Sequence, residues 1–262
     1  MKEKYRMICI MSGNKNLSKF RDHLNIIDYF RAYRERVNKV TNPKHPVSDP
    51  WVIVFNEHKI VYIPIPKAAN SSIRTALLPL VGEKQEFVDK IQEYRGFEKI
   101  RLNNFLERHD ERWMIFTVVR NPYDRYVSGY SNKLADRDKV FGALLKMGLR
   151  AGDSFMRFIR LLQIWPPERL NDHFAPQALI LEKALRLKIH VFKMEDLHVE
   201  WPKIKDKIEA HAGVKIGELM QLNRSSSSQK KQTFLSSEAK EIIRNIARID
   251  FDAFDYGTDS AH

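Results

Sequence analysis

The stretch from Tyr62 to Arg74, YIPIPKAANSSIR, and the stretch from Phe116 to Tyr130, FTVVRNPYDRYVSGY, decide the fold of this chain. Each reads as an apolar strand that leads into a small polar loop and then into a helix, with a cation at the turn. The N–H groups in the first turn of a helix have no partner within the helix and can bind an anion. Two such units can therefore bind the two phosphate-bearing ends of one nucleotide.

In the first unit, the strand must end near Ile63, because Pro64 and Pro66 cannot donate a hydrogen bond to a neighbouring strand. Residues 68–72 are small, so their backbone N–H groups can approach an anion closely. The helix dipole contributes only about 0.3–1 kcal/mol to anion binding, and Lys67 adds a stronger, charge-assisted contact. An ordinary capped helix after a strand explains this segment equally well, since the lysine precedes the loop, unlike in a G-x-x-x-x-G-K-[ST] loop.

The second unit carries clear signals for the start of a helix. Arg120 ends the strand, Asn121 is a preferred N-cap residue, and Pro122 suits the first helical position. Ser128 lies two helical turns beyond Asn121 and shares its face, so an arginine and a serine can hold one phosphate from two sides. Taken singly, Arg120 is equally natural as a surface ion pair and Ser128 as an ordinary helix residue.

Strands and helices alternate along the rest of the chain. The predicted strands are Ile60–Ile63, Trp113–Val119 and Ile189–Phe192, and the second is apolar on both faces, as in a parallel sheet covered by helices. Helical periodicity is found in five segments: Val140–Leu149, Ser154–Gln163, Ala178–Leu187, Trp201–Ala212 and Ser237–Ile249. This alternation predicts an α/β fold with three layers around a central, mainly parallel sheet.

The first fifty residues are expected to form an extension of this core. Leu17–Val40 has apolar residues at near-helical spacing among many cations, which predicts an amphipathic helix. Such a helix usually packs on its own domain. We therefore expect residues 1–50 to form an N-terminal helical extension packed on the core and residues 51–262 to form the main domain.

The composition indicates one compact globular domain, with 262 residues of which 43% are hydrophobic and 30% are charged. The net charge of +12 favours contact with nucleic acid, an anionic glycan, a membrane surface or a nucleotide, although a solvated surface explains it equally well. Cys9 is the only cysteine, and the apolar run Met7–Met11 is too short for a signal sequence or a membrane span. We expect a soluble, cytoplasmic protein without a transmembrane segment.

The two units together resemble the cofactor motifs of the Golgi-type carbohydrate sulfotransferases. The 5′-phosphosulfate loop of that family reads I-P-K-x-x-x-[ST]-[ST], and its 3′-phosphate motif reads R-[ND]-P-[YF]-x-R-x-x-S-x-[YF]. Residues 171–177 (NDHFAPQ), 192–197 (FKMEDL) and 249–256 (IDFDAFDY) resemble further elements of the family in the same order. Pro64 stands where many relatives have a histidine. The cysteines typical of secreted relatives are absent, and in this respect the chain resembles a bacterial-type or cytosolic member.

The resemblance implies P-loop-like phosphate-binding units and the donor 3′-phosphoadenosine 5′-phosphosulfate (PAPS), from which a sulfuryl group moves in line to an acceptor hydroxyl. By this resemblance, Lys67 acts in catalysis by stabilising the leaving phosphate, while Arg120 and Ser128 bind the 3′-phosphate. The complete set implied to bind the cofactor is Lys67, Ala68, Ala69, Asn70, Ser71, Ser72, Arg120, Ser128 and, in a basic loop, Arg224.

A general base must accept the proton of the acceptor. His173 is the favoured candidate, because an imidazole changes charge near neutral pH and Asp172 can orient it. A hydrogen-bonded structural histidine explains the same position nearly as well. Glu57, His58 and His109 are lesser candidates, since they fall just upstream of the two units.

Two other functions stay open at this point. A nucleotide-dependent phosphotransferase would require a divalent metal and would turn over ATP, whereas the sequence has no Cys/His cluster with metal-ligand spacing and predicts no metal. A basic protein that binds nucleic acid or another polyanion would use the net charge, but the cations are not interleaved with stacking aromatic residues. We expect an acceptor substrate, with a carbohydrate and especially an anionic glycan as candidates, and no nucleic-acid partner.

Overall fold

The computed structural model of the chain describes residues 46–85, 91–134, 144–145, 147–220 and 233–257. Within them, five strands form one sheet: β1 (Trp51–Phe55), β2 (Ile60–Ile63), β3 (Glu98–Arg101), β4 (Met114–Val119) and β5 (His190–Lys193). The helices are α1 (Asn70–Ala76), α2 (Leu102–Leu106), α3 (Pro122–Lys133), α4 (Phe155–Ile164), α5 (Gln177–Ile180), α6 (Leu197–Ala212), α7 (Ser237–Ile246) and α8 (Arg248–Ala253). Short 3-10 turns occur at Leu78–Val81, Ile91–Glu93, Pro167–Arg169 and Ala184–Arg186.

The sheet has the order β3-β1-β2-β4-β5. Strands β2, β4 and β5 are parallel, and β1 runs antiparallel to both of its neighbours, so four of the five strands point in one direction. The predicted α/β fold with a central, mainly parallel sheet is confirmed. Strands β1 and β3 were not predicted, and β3 is an edge strand of the polar sequence EKIR that is held by its pairing with β1.

The centre of the sheet positions the two units. Every residue of β2 and β4 is buried, because helices and loops cover both faces of these strands. Ile63 pairs with Thr117 near the carboxyl ends, and the Thr117 hydroxyl donates a hydrogen bond of 2.8 Å to the Ile63 carbonyl. Since the two strands are adjacent and parallel, the loops that follow them leave from the same edge of the sheet.

Helical periodicity predicted α4 and the first part of Ser237–Ile249 correctly, and the structure adds the caps of both helices. Ser154 caps α4 and Ser236 caps α7, each through a hydroxyl that accepts a backbone N–H. The predicted helix Ser237–Ile249 is divided in two at Ala247, beyond which α8 turns the buried Asp250 toward α5. The predicted helix Ala178–Leu187 consists of α5 and a separate 3-10 turn.

Some predicted elements lie outside the described residues. These are the helix Leu17–Val40, half of Val140–Leu149 and the basic loop that contains Arg224. The division into an extension over residues 1–50 and a main domain over residues 51–262 therefore stays a prediction. In the part of the chain that the structure describes, none of the helices combines the length and apolarity needed to cross a bilayer.

Candidate active site

The loop between β2 and α1 has an unusual backbone conformation. Lys67 and Ala69 both have positive φ angles, 72° and 52°, which few residues other than glycine adopt. The first hydrogen bond of α1 runs from the Ile73 N–H to the Ala69 carbonyl at 3.0 Å. The N–H groups of residues 70–72 precede this bond and so have no acceptor within the helix. The loop thus presents backbone donors beside the lysine side chain.

The turn between β4 and α3 is fixed by side-chain amides. Asn121 caps α3, since its Oδ1 accepts the Tyr123 N–H at 3.0 Å, as the sequence predicted. The buried side chain of Gln177 binds both polar groups of Arg120: its Oε1 accepts the N–H at 2.9 Å and its Nε2 donates to the carbonyl at 2.7 Å. Asp250 accepts a further N–H of Gln177 at 3.3 Å. The side chain of Gln177 therefore fixes both the N–H and the carbonyl of Arg120, and Asp250 in turn fixes Gln177.

The two turns are joined to each other. Nη1 of Arg120 donates a hydrogen bond of 3.1 Å to the Lys67 carbonyl. Burial lowers the pKa of Arg120, whereas the nearby charges of Asp124 and Glu195 raise it, and an arginine stays protonated under such opposing influences. The structure therefore brings the predicted residues Lys67 and Arg120 together, with the Arg120 guanidinium bound to the backbone of Lys67.

A second arginine connects the first loop to the segment that carries His173. Arg125 is fully buried, and its Nε donates to the Pro66 carbonyl at 3.1 Å. Its Nη1 and Nη2 donate to the carbonyls of Ala175 and Asp172, each at 2.7 Å. One guanidinium thus holds together backbone groups on either side of the site. The sequence placed Arg125 in the second motif without a role, since a cation on a helix is ordinarily exposed.

Replacing Arg125 by methionine is expected to lower the free energy of unfolding by about 3–5 kcal/mol, because each buried carbonyl left without its donor costs about 1–3 kcal/mol. The variant fills much of the same volume but leaves three carbonyls without their donor. Denaturant unfolding measures the change, and Arg248→Met, at an exposed position on α8, is the control. A loss below about 1 kcal/mol in Arg125→Met would contradict this account.

His173 is oriented by its neighbours. Its Nδ1 lies 3.0 Å from both Asp172 Oδ1 and Asn171 Oδ1, which are acceptors, so Nδ1 carries the hydrogen and Nε2 keeps a lone pair. Burial raises the pKa of Asp172, but hydrogen bonds and charge from His173, with the charge of Arg125, outweigh it and hold the pKa below its usual value. The ionised carboxylate stabilises a positive charge on the imidazole, as a general base requires.

Helix α3 supplies the remaining polar groups near Lys67. The Lys67 ammonium donates to Oδ1 of Asn132 at 2.6 Å. Ser128 lies one helical turn before Asn132 and is half-buried on the same side of the helix. The sequence missed Asn132, which follows the recognisable motif by only two residues.

Other candidates lie elsewhere. Ala68 is buried, and Ala69, Asn70, Ser71 and Ser72 are half-buried at the start of α1, next to Lys67. Glu57, His58 and His109 lie at the amino ends of β2 and β4. A strand of four residues is about 13 Å long, so this end of the sheet is about that far from the edge where the two loops begin. These three lesser candidates for the base are thus a strand's length from Lys67. Arg224 is outside the described residues.

Within the described ranges, no group of three or more His, Cys, Asp or Glu side chains is arranged to hold a metal ion. The expectation of a reaction without a metal stays a prediction.

The fold and the two turns place the chain among α/β proteins with P-loop-like strand-loop-helix units. Residues 51–257 match the sulfotransferase family, and the chain therefore belongs to this family. Members of the family in general use PAPS as the sulfuryl donor. The resemblance seen in the sequence motifs is confirmed.

Two curated relatives are carbohydrate sulfotransferases. The chain is 27% identical to carbohydrate sulfotransferase 14 of Danio rerio over 143 residues, which are 48% of this chain and 39% of the fish protein. It is 20% identical to carbohydrate sulfotransferase 14 of Homo sapiens over 224 residues, which are 78% of this chain and 60% of the human protein. The chain thus spans less than two thirds of the length of either relative.

These relatives correct one expectation. The prediction of a cytoplasmic location is wrong, because the relatives belong to the Golgi-type carbohydrate sulfotransferases and not to a cytosolic group. The prediction relied on the single cysteine, but a lack of disulfides is compatible with any compartment, since thiols are not required to pair in an oxidising one.

Proposed function

We propose that the protein transfers a sulfuryl group from PAPS to a hydroxyl group of a carbohydrate acceptor. The observation that supports this most is the hydrogen bond between Arg120 Nη1 and the Lys67 carbonyl, which joins the two anion-binding turns at one edge of the sheet. A donor with phosphate groups at both ends of an adenosine requires two such turns, held at a fixed separation.

The residues of both turns suit an anionic nucleotide. Lys67 and the N–H groups of residues 70–72 offer donors to the 5′-phosphosulfate, and Ser71 and Ser72 add hydroxyl groups. Arg120 and Ser128 offer a charged and a neutral donor to the 3′-phosphate. When bound, PAPS supplies the sulfuryl group and an adenosine phosphate as the leaving group.

The chain's own residues then provide positioning and charge stabilisation. The Lys67 ammonium stabilises the negative charge that develops on the leaving phosphate as its bond to sulfur breaks. Nε2 of His173 accepts the proton of the acceptor hydroxyl as the new oxygen–sulfur bond forms, and Asp172 stabilises the resulting imidazolium. Because Arg125 binds carbonyls on both sides, the base and the lysine keep a fixed separation.

A glycan acceptor is favoured by two observations. Both relatives are named carbohydrate sulfotransferases. The chain carries a net charge of +12, which attracts an anionic polymer and raises its local concentration at the site. Incubation with labelled PAPS and a panel of anionic and neutral glycans tests this proposal, with chelator added. Transfer to glycans in the presence of chelator supports it, and ATP turnover that depends on a divalent metal would instead indicate a phosphotransferase.

Replacing Arg120 by alanine is expected to weaken binding of the desulfated product, 3′-phosphoadenosine 5′-phosphate, by about 10- to 100-fold. The variant loses a charge-assisted contact, which contributes about 1.5–3 kcal/mol. Titration calorimetry measures the affinity, with Arg248→Ala as an exposed control. Unchanged product affinity in Arg120→Ala would show that the 3′-phosphate binds elsewhere.

A further inference from the structure

The contact between Lys67 and Asn132 joins two units that are far apart in the sequence. Lys67 lies in the loop before α1, whereas Asn132 is on the last turn of α3, and the ammonium and the amide oxygen are 2.6 Å apart. Asn132 is solvent-exposed, so the contact is not needed to fill the core. A short hydrogen bond between an exposed amide and the proposed catalytic cation calls for a functional explanation.

The contact holds the distal end of a side chain whose proximal end is already fixed. The Lys67 backbone has a positive φ angle, and its carbonyl accepts a hydrogen bond from Arg120. A lysine side chain nevertheless has four rotatable bonds and an ammonium group with three donors, so its tip samples many positions unless it is bound. With one N–H directed at Asn132, the side chain extends from the loop toward α3.

The chemistry of an amide suits this task. A neutral carbonyl oxygen accepts an N–H without cancelling the charge of the ammonium. A carboxylate in the same place would form an ion pair and compete with an anionic donor for the cation. The residue type at position 132 therefore holds Lys67 without itself neutralising the positive charge of the ammonium.

We propose that Asn132 is a positioning residue, which holds the Lys67 ammonium where the leaving phosphate develops charge. This inference rests on the sulfotransferase activity proposed above and adds a residue to it. Asn132 acts through Lys67, so its removal affects the transition state more than the binding of the donor.

Kinetics of three substitutions test the proposal. Asn132→Ala is expected to lower kcat about tenfold, with the KM for PAPS and the affinity for the desulfated product changed less than about twofold. Asn132→Asp is expected to lower kcat further than Asn132→Ala, because the new carboxylate holds the ammonium as an ion pair. Asn132→Gln keeps the amide and is expected to regain part of the rate. Asn104→Ala, at an exposed position on α2, is the matched control and retains wild-type kinetics.

A second measurement needs neither donor nor acceptor. Acetylation of Lys67 by acetic anhydride, followed by mass spectrometry, reports how strongly its amine is held. We expect Asn132→Ala to speed this labelling about three- to tenfold and Asn132→Asp to slow it, with the other lysines unchanged. If Asn132 had only a structural role, the labelling rate of Lys67 would not rise in Asn132→Ala and fall in Asn132→Asp. A change in labelling confined to this one lysine would also not be expected.

The outcomes separate the two proposals. Wild-type labelling of Lys67 and wild-type kcat in Asn132→Ala would overturn the role of Asn132 and leave the proposed function intact. If Asn132→Asp were as active as the wild type, the argument from charge would fail. If the wild-type protein transferred no sulfuryl group to any glycan in the panel, the proposed function would fail, whereas faster labelling of Lys67 in Asn132→Ala would still show that Asn132 positions the ammonium.

Discussion

Replacing Lys67 by methionine is expected to lower kcat by about 10²–10³-fold, the usual effect of removing one preorganised donor from a developing negative charge. Methionine keeps the length and apolar stem of the side chain, so the change removes the ammonium and little else. The backbone strain at Lys67, with its φ angle of 72°, is the same in both proteins. The rate of transfer from labelled PAPS at saturating acceptor measures the effect.

Stability separates a catalytic role of Lys67 from a structural one. The side chain is half-buried and makes an exposed contact with Asn132, so the free energy of unfolding is expected to change by no more than about 0.5–1 kcal/mol. Lys203→Met, on the exposed face of α6, serves as the control for losing a lysine. A kcat within threefold of the wild type in Lys67→Met would refute the assignment of the leaving-group cation.

Replacing His173 by alanine is expected to lower kcat by about 10²–10⁴-fold, the range for the loss of a general base. Affinity for the desulfated product is expected to stay unchanged, since His173 belongs to neither anion-binding turn. Initial rates of transfer from labelled PAPS at saturating acceptor provide the measurement.

The alternative for His173 is a structural role, and the thermal midpoint decides between the two. A structural histidine would lower the midpoint and the rate together, whereas a general base lowers the rate alone. His198→Ala, at an exposed position on α6, is the control for the loss of an imidazole. Near-normal transfer by His173→Ala would remove this residue from the mechanism.

The parts of the fold that local chemistry decides could be read from the sequence. The end of β2 at Ile63 was predicted from Pro64 and Pro66, which follow it, and the start of α3 was predicted from Asn121 and Pro122. Both are properties of a few neighbouring residues. Strand β3 could not be read in this way, because its polar sequence becomes a strand only through pairing with β1.

The same distinction applies to the site. Lys67 and Arg120 were predicted as partners in one site because each stands at the turn that follows an apolar strand. The roles of Arg125 and Gln177 could not be predicted, because their hydrogen-bond partners lie 47 to 73 residues away along the chain. Such contacts depend on how the loops meet in space, and no periodicity or capping signal encodes them.

The main-chain acceptors of Arg125 have a consequence for the tolerance of this chain to mutation. Its three hydrogen bonds end on main-chain oxygens, a group that every amino acid possesses. Mutations can therefore exchange the side chains at Pro66 and Ala175 without removing an acceptor of Arg125. The connection between the first loop and the segment that carries His173 thus depends on the arginine itself and not on the side chains that it joins.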